Sequence, residues 1–366
     1  MHVLLILTVI AILPQQEDVW RLGRVSLEIG AESSGGPDEF GRIAGVVRLP
    51  DGSIVVADQL NDEVRAFDSS GRTRWVRGRS GGGPGEFQLI KWLGWCAGSI
   101  MVVDGGGNRR VTRYAPSGTL LGTQPTYTLR VGQNPWAVRC DDQQVLVVGW
   151  PEFPTPVVPG PIQPQVAVGV LSIAGDSLRA LGRFPGPENY VLPSLRGAMP
   201  RPLGASMFIA ILHSRAFVAV SNRDSIHGYD LRGRGPSTAF RVPLAHRRTR
   251  EADIKAWIHT EVSAISDRAR AARYEADLKS YQWPDELPRF LALVPDPLGK
   301  LWLRPYTAPG SIGSVEWSVV DVEGKSVARI SVPADLEVHQ VGSDWVLGVR
   351  RTPLGVERVV LYQLHR

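Results

Sequence analysis

The sequence predicts an all-β fold assembled from repeated four-stranded sheets, and three observations carry that prediction. Motifs return at an interval of about 46 residues. The apolar runs have strand length and are bounded by Gly, Asp, Asn and Ser. Glycine (39) and proline (28) are plentiful and spread along the whole chain, as many short strands joined by tight turns require.

The repeat is legible by eye. Gly36-Pro37-Asp38-Glu39-Phe40 returns as Gly83-Pro84-Gly85-Glu86-Phe87, and the run Gly52 to Asp58 returns as Gly98 to Asp104. Asn61, Val64, Phe67 and Gly71 are matched by Asn108, Val111, Tyr114 and Gly118. The interval is that of a four-stranded propeller blade and exceeds that of leucine-rich repeats.

Taken in order, a first blade covers 40–78 and a second 87–125. A third starts near Pro135, with strands at Val145–Val148 and Val166–Ile173. A fourth carries Phe217–Val220 and Ile226–Asp230, and a fifth carries Gly299–Leu303 and Trp317–Asp321. The last blade has only three strands of its own, near 336–341, 344–350 and 357–364. Val25–Gly30 precedes the first Gly-Pro motif just as Trp75–Gly78 precedes the second, so it is a fourth-strand equivalent that completes the last blade. Joining the two ends leaves no open sheet edge. The expected architecture is therefore a single six-bladed β-propeller over 19–366, with the N-terminal strand closing the last blade and a helical insertion at about 246–284 between blades 4 and 5.

The repeated pattern resembles the NHL-type and TolB-like six-bladed propellers, most closely over 25–125, where the Gly-Pro-x-Glu-Phe and Gly-Ser-Ile motifs lie. The resemblance implies architecture but no single activity, because such folds host binding proteins, scaffolds and unrelated enzymes. It also implies where to look for a metal. Lactonase-like and lyase relatives hold one at the axis with acidic, Asn or His side chains, and calcium at the axis is the cofactor that an enzyme of this kind would need. The residues expected near the axis here are instead basic or aromatic: Lys91, Trp92, Trp136, Arg139, Arg304 and Arg350.

Composition narrows the function classes. Of 366 residues, 43% are hydrophobic and 21% charged, which excludes disordered and fibrous chains. A net charge of +5 comes from scattered arginines without a basic, aromatic-interleaved stripe, so nucleic acid is not an expected partner. Val3–Leu13 is an apolar run of signal-peptide length, too short to span a bilayer, and it heads a signal-like segment 1–18. The segment is incomplete, having only His2 before the apolar run and no Ala-x-Ala site. Export to the periplasm or beyond is expected, with peripheral membrane contact at most and a monomeric state.

Sorting the loops by blade geometry puts all the elaboration on one face. There lie Asp104–Arg110, the Pro-rich Trp150–Pro164, Tyr306–Gly313, the connection Arg183–Gly204 and the excursion Ala245–Pro288. Loops on a rigid scaffold are the usual home of function. In the excursion, Thr249 is positioned to cap a helix, and Ile254, Trp257, Ile258, Val262 and Ile265 mark one helical face. That helix is either a fixed lid on the propeller mouth or a mobile, partner-docking one.

No catalytic motif stands out. Gly324-Lys325-Ser326 lacks the first glycine of a phosphate-binding loop, and Gly81-Gly82-Gly83 opens no helix. The seven histidines lack zinc-site spacing. Asp58 and Asp104, with Asn61 and Asn108, read as caps of loop N–H groups. Arg304, Tyr306, Arg350 and Arg351 are the candidate ligand-binding residues, since arginines at strand ends facing the elaborated side suit a carboxylate or phosphate. Cys96 and Cys140 end equivalent inner strands of consecutive blades. They are read as a disulfide in an exported protein or else as two buried thiols. The expected function is non-catalytic binding of a protein partner or small anion at the loop-rich face, and the alternative is a metal-dependent hydrolase or lyase.

Overall fold

The computed structural model describes residues 17–31, 36–125, 137–140, 145–154, 158–172, 178–191, 198–233, 236–279, 281–352 and 355–366. Four antiparallel four-stranded sheets account for much of the chain. The first contains Ile43–Arg48, Ile54–Asp58, Glu63–Phe67 and Thr73–Arg77, in that spatial order. The second contains Ile90–Cys96, Ser99–Asp104, Arg110–Tyr114 and Leu120–Pro125. The third contains Ala137–Cys140, Val145–Glu152, Gln165–Ser172 and Leu178–Pro185. The fourth contains Met207–Leu212, Arg215–Val220, Ser225–Asp230 and Pro236–Arg241.

Eight further strands form one sheet. Its order is Phe290–Pro295, Leu301–Pro305, Ser314–Val320, Ser326–Pro333, Asp18–Ile29, Glu357–His365, Trp345–Arg351 and Leu336–Val341. The sheet is two four-stranded walls joined along their outer edges. The joint is Asp18–Ile29, antiparallel to Glu357–His365 and parallel to Ala328–Ser331 through Asp18–Arg21. The sequence places a closing strand at Val25–Gly30; the observed strand starts seven residues earlier, and the added part makes the parallel joint.

The first strand of every wall is innermost, and these strands form a ring. Ile43–Arg48 neighbours Ile90–Cys96, which neighbours Ala137–Cys140; Met207–Leu212, Phe290–Pro295 and Leu336–Val341 follow, and the last returns to Ile43–Arg48. The result is a nearly closed, propeller-like fold. The packing explains why the second strands read as unbroken apolar runs. Side chains alternate across a strand, so Ile54 and Val56 pack toward Leu347 and Val359, while Val55 and Ala57 pack toward Ile90 and Val102. Both faces are buried, and neither face selects for polar residues.

The repeated motifs tie one sheet to the next. The buried Asp58 carboxylate accepts the N–H groups of Gly41 (3.0 Å) and Arg42 (3.1 Å) and the Asn61 side-chain amide (2.8 Å). Asp104 does the same with Gln88 N (3.1 Å), Leu89 N (3.0 Å) and Asn108 (2.8 Å). In the Gly-Pro motif Glu86 accepts the Gly83 N–H at 2.6 Å while Phe87 is fully buried. The glycine of the Gly324 turn is required on two counts. Its φ is +85°, and a Cβ there would meet Phe240 at 2.4 Å.

Between the fourth sheet and Phe290 lie two helices, α1 (Glu251–Ser263) and α2 (Arg268–Lys279), where the sequence suggests one. The interruption falls at 264–267, where the Asp267 carboxylate receives the Arg270 N–H at 3.0 Å and starts the second helix. Thr249 does not cap α1. The cap is Arg250, whose N–H is taken by the buried Asp253 at 3.0 Å. The expected stripe Ile254, Trp257, Ile258, Val262 and Ile265 is half-buried along α1 and its end. The loops also hold a small three-stranded sheet, Gly160–Ile162, Asn189–Val191 and Ala198–Pro200.

Candidate ligand cavity

The inner ring encloses a cavity of about 1160 Å³ to which all six inner strands contribute. Its wall runs from Lys91, Leu291 and Glu337, at the starts of their strands, to His213, Asp296 and Pro297 at the far turns. The cavity therefore follows the axis.

Its polar groups are unevenly committed. Asp296 is fully occupied: it accepts Trp302 Nε1 (3.0 Å), Leu298 N and Lys300 N (both 2.9 Å) and the Arg366 guanidinium (2.9 Å). Gln340 is spent on the first sheet, accepting the Arg48 N–H at 2.7 Å. Glu337 and His339 face one another, with Nε2 to Oε1 at 3.5 Å, and the Glu337 side chain is 74% exposed. Burial lowers the His339 pKa; Glu337 opposes this, and the nearby Arg139 charge lowers it further. Burial likewise lowers the pKa of Arg139 and, with Glu337 opposing, that of Arg304.

A second cavity of about 300 Å³ adjoins the first through Leu291 and Arg304. It lies between Leu203, Trp257 of α1 and the loop from Tyr306 to Ser311. Three loops assigned to one face by sequence thus meet at the mouth of the axial cavity. The helices are anchored there by stacking. Tyr281 stacks on Tyr190 with ring centroids 3.9 Å apart, Trp283 lies 4.9 Å from Tyr281, and Trp257 lies 5.6 Å from Trp283. Arg201 adds a 2.7 Å bond to the Gln282 carbonyl.

The four candidate ligand residues separate into two pairs. Arg304 and Tyr306 line the mouth. Arg304 donates to the Ala334 carbonyl at 2.9 Å, leaving its Nε without a partner, and the buried Tyr306 hydroxyl also lacks one. Arg350 is bound by Asp335 (2.6 and 2.9 Å) and Arg351 by Glu357, and neither lines either of these two cavities. Of the residues expected near the axis, Lys91, Trp92, Arg139 and Arg304 line the cavity, Arg350 does not, and Trp136 lies outside the described residues. Glu337 and His339 are absent from the sequence expectation; their spacing of two puts them on one face of a regular strand, but a register shift between Val338 and Gln340 hides which face that is. Cys96 and Cys140 form a disulfide with Cα atoms 5.9 Å apart, and it links the second and third inner strands beside Arg139. Among the described residues no three His, Cys, Asp or Glu side chains gather as a metal would require.

Fold and site together define a propeller-like protein with a basic, partly apolar axial cavity. Its arrangement is similar to that of a member of the duf4221 family from Bacteroides vulgatus, at 8% identity and a TM-score of 0.59, covering 96% of this chain and 100% of that one. It is also similar to a Bacteroides fragilis protein named for its inferred export, at 11% identity and a TM-score of 0.52, covering 95% of both chains. Regucalcin, a calcium-binding protein from Agrobacterium tumefaciens, aligns at 12% identity over 96% of this chain and 97% of its own with a TM-score of 0.48. At such identities the likeness concerns the fold alone, and the third adds nothing to the first two. No family model and no curated protein matches the sequence.

Proposed function

We propose that this is an exported six-bladed propeller of the NHL or TolB-like type that binds a small organic anion at its axis without transforming it. The ring of six neighbouring inner strands supports the blade count. The disulfide supports an oxidising compartment, and the apolar run Val3–Leu13 supports delivery there by an export signal over 1–18. The observation that carries the binding function is the charge of the cavity. Lys91, Arg139 and Arg304 line it, whereas its described carboxylates are Glu337 and the fully committed Asp296. Arg304 and Tyr306 line the mouth beneath α1, which supports its use as the entrance. Thermal melting against a panel of organic anions tests the proposal. An upward shift that Arg304→Gln diminishes is expected, and a midpoint unmoved by every anion would sink it.

One observation favours a second reading, a hydrolase or lyase. The pair His339–Glu337 offers a histidine held toward its neutral form beside a carboxylate, the arrangement of a general base and its orienting group. Turnover of a lactone or ester that disappears in His339→Gln would favour it over simple binding.

A further inference from the structure

We infer that the ligand is an amphiphilic organic acid, an anionic head joined to an extended apolar body. The inference rests on the anion-binding reading above and adds the chemistry of the rest of the molecule.

The cavity is divided. Met207–Leu212 and Phe290–Pro295 are neighbours in the ring and carry no polar side chain. Within them Met207, Ile209, Leu212, Phe290 and Leu293 are buried between sheets, whereas Phe208, Ile211, Leu291, Ala292 and Pro295 stay partly exposed along the cavity. Leu291 is 37% exposed and belongs to both cavities. The apolar path continues outward past Leu203, Trp257, Pro288 and Pro309. The charged groups come from other inner strands: Lys91 from the second sheet, Arg139 from the third, and Glu337 with His339 from the last strand of the ring. Arg304 bridges the two, standing beside Leu291 at the junction of the cavities.

A compact polar anion would satisfy Arg304 and leave the Phe208–Leu291 wall wetted, forgoing the gain from removing apolar surface from water. A purely apolar ligand would bury Lys91 and Arg304 further and bring no counter-charge of its own, which costs more than the apolar contact returns. An amphiphilic acid meets both surfaces, and a cavity of about 1160 Å³ accommodates more than a small polyatomic anion.

The test titrates the full chain with straight-chain carboxylates from acetate to dodecanoate below their micellar concentrations. Citrate and the matching n-alkanols serve as controls, and binding is read by calorimetry. Affinity is expected to rise about three- to fourfold per methylene through the middle of the series, at one site per chain. Leu291→Ser should flatten that rise, and Arg139→Gln should weaken the acids while leaving the alcohols nearly unchanged. Arg139→Lys, which keeps the charge, controls for misfolding. If citrate and acetate bind but chain length has no effect, the amphiphile inference fails and the anion reading stands. If the alcohols bind as tightly as the acids, or nothing binds, both fail. Many weak sites per chain would mark adsorption and also overturn it.

Discussion

Removing the Cys96–Cys140 link tests the compartment, the stability and the site together. The bond closes a chain separation of 44 residues. In the loop-entropy description a crosslink of that span restricts the unfolded chain by about 4 kcal/mol. Unfolding entropy near 2.1 cal/mol/K per residue gives this chain a total of roughly 0.8 kcal/mol/K, so loss of the bond lowers the melting midpoint by about 5 °C. The assay is thermal unfolding with and without dithiothreitol, beside the Cys96→Ser/Cys140→Ser double variant, which should match the reduced protein and ignore the reductant. Mass spectrometry after alkylation in denaturant should find no free thiol in the oxidised protein. The link also clamps Ala137–Cys140, a four-residue inner strand that presents Arg139 beside Cys140. Reduction should therefore weaken anion binding severalfold as well as lowering the midpoint. Two free thiols in protein exported from its native host, or a midpoint indifferent to reductant, would refute the reasoning.

Other expectations concern single groups. Asp296→Ala should cost roughly 3–5 kcal/mol in urea unfolding, because it leaves the Arg366 guanidinium without its carboxylate and the buried Trp302 N–H without its acceptor. Arg350→Ala removes a half-exposed pair with Asp335 and should change stability by less than about 1 kcal/mol, with ligand binding untouched. His339 has a folded pKa below the ordinary value of 6.5, so the unfolded state takes up its proton first as pH falls. Stability contributed by the neutral ring is full above about 6.5 and declines below it toward the folded pKa; melting curves from pH 7.5 to 5 should show a steeper fall for the native protein than for His339→Gln. Gly324→Ala should destabilise by more than about 1 kcal/mol, the cost of a Cβ in the left-handed region alone, because the Phe240 contact adds to it.

The scaffold was legible because propeller physics writes itself locally. Asp58 and Asp104 recur since each must gather the same N–H groups where one sheet hands over to the next. The run Ile54–Ala57 is wholly apolar since it is buried on both faces. The helices were legible in kind but not in number, because the break at 264–267 is set by an Asp267 cap that an Arg/Ala-rich stretch conceals. The three-residue strands 160–162, 189–191 and 198–200 left no trace, being too short for any periodicity in proline-rich sequence.

The site was harder for a different reason. Whether an inner-strand side chain faces the axis or a neighbouring sheet depends on bulges, and these occur between Ile90 and Trp92, Phe290 and Ala292, and Val338 and Gln340. A bulge shifts the phase of alternation, so the pattern of Leu336–Val341 alone does not assign Glu337 and His339 to the cavity. The same geometry explains why Arg304 and Arg350, both near the outer ends of second strands, part company. The loop after Arg304 is built into the mouth, leaving its guanidinium only a carbonyl to hold. The turn beside Arg350 supplies Asp335. An arginine is open to a ligand carboxylate only where the fold withholds one of its own, and that depends on which loop stands across from it.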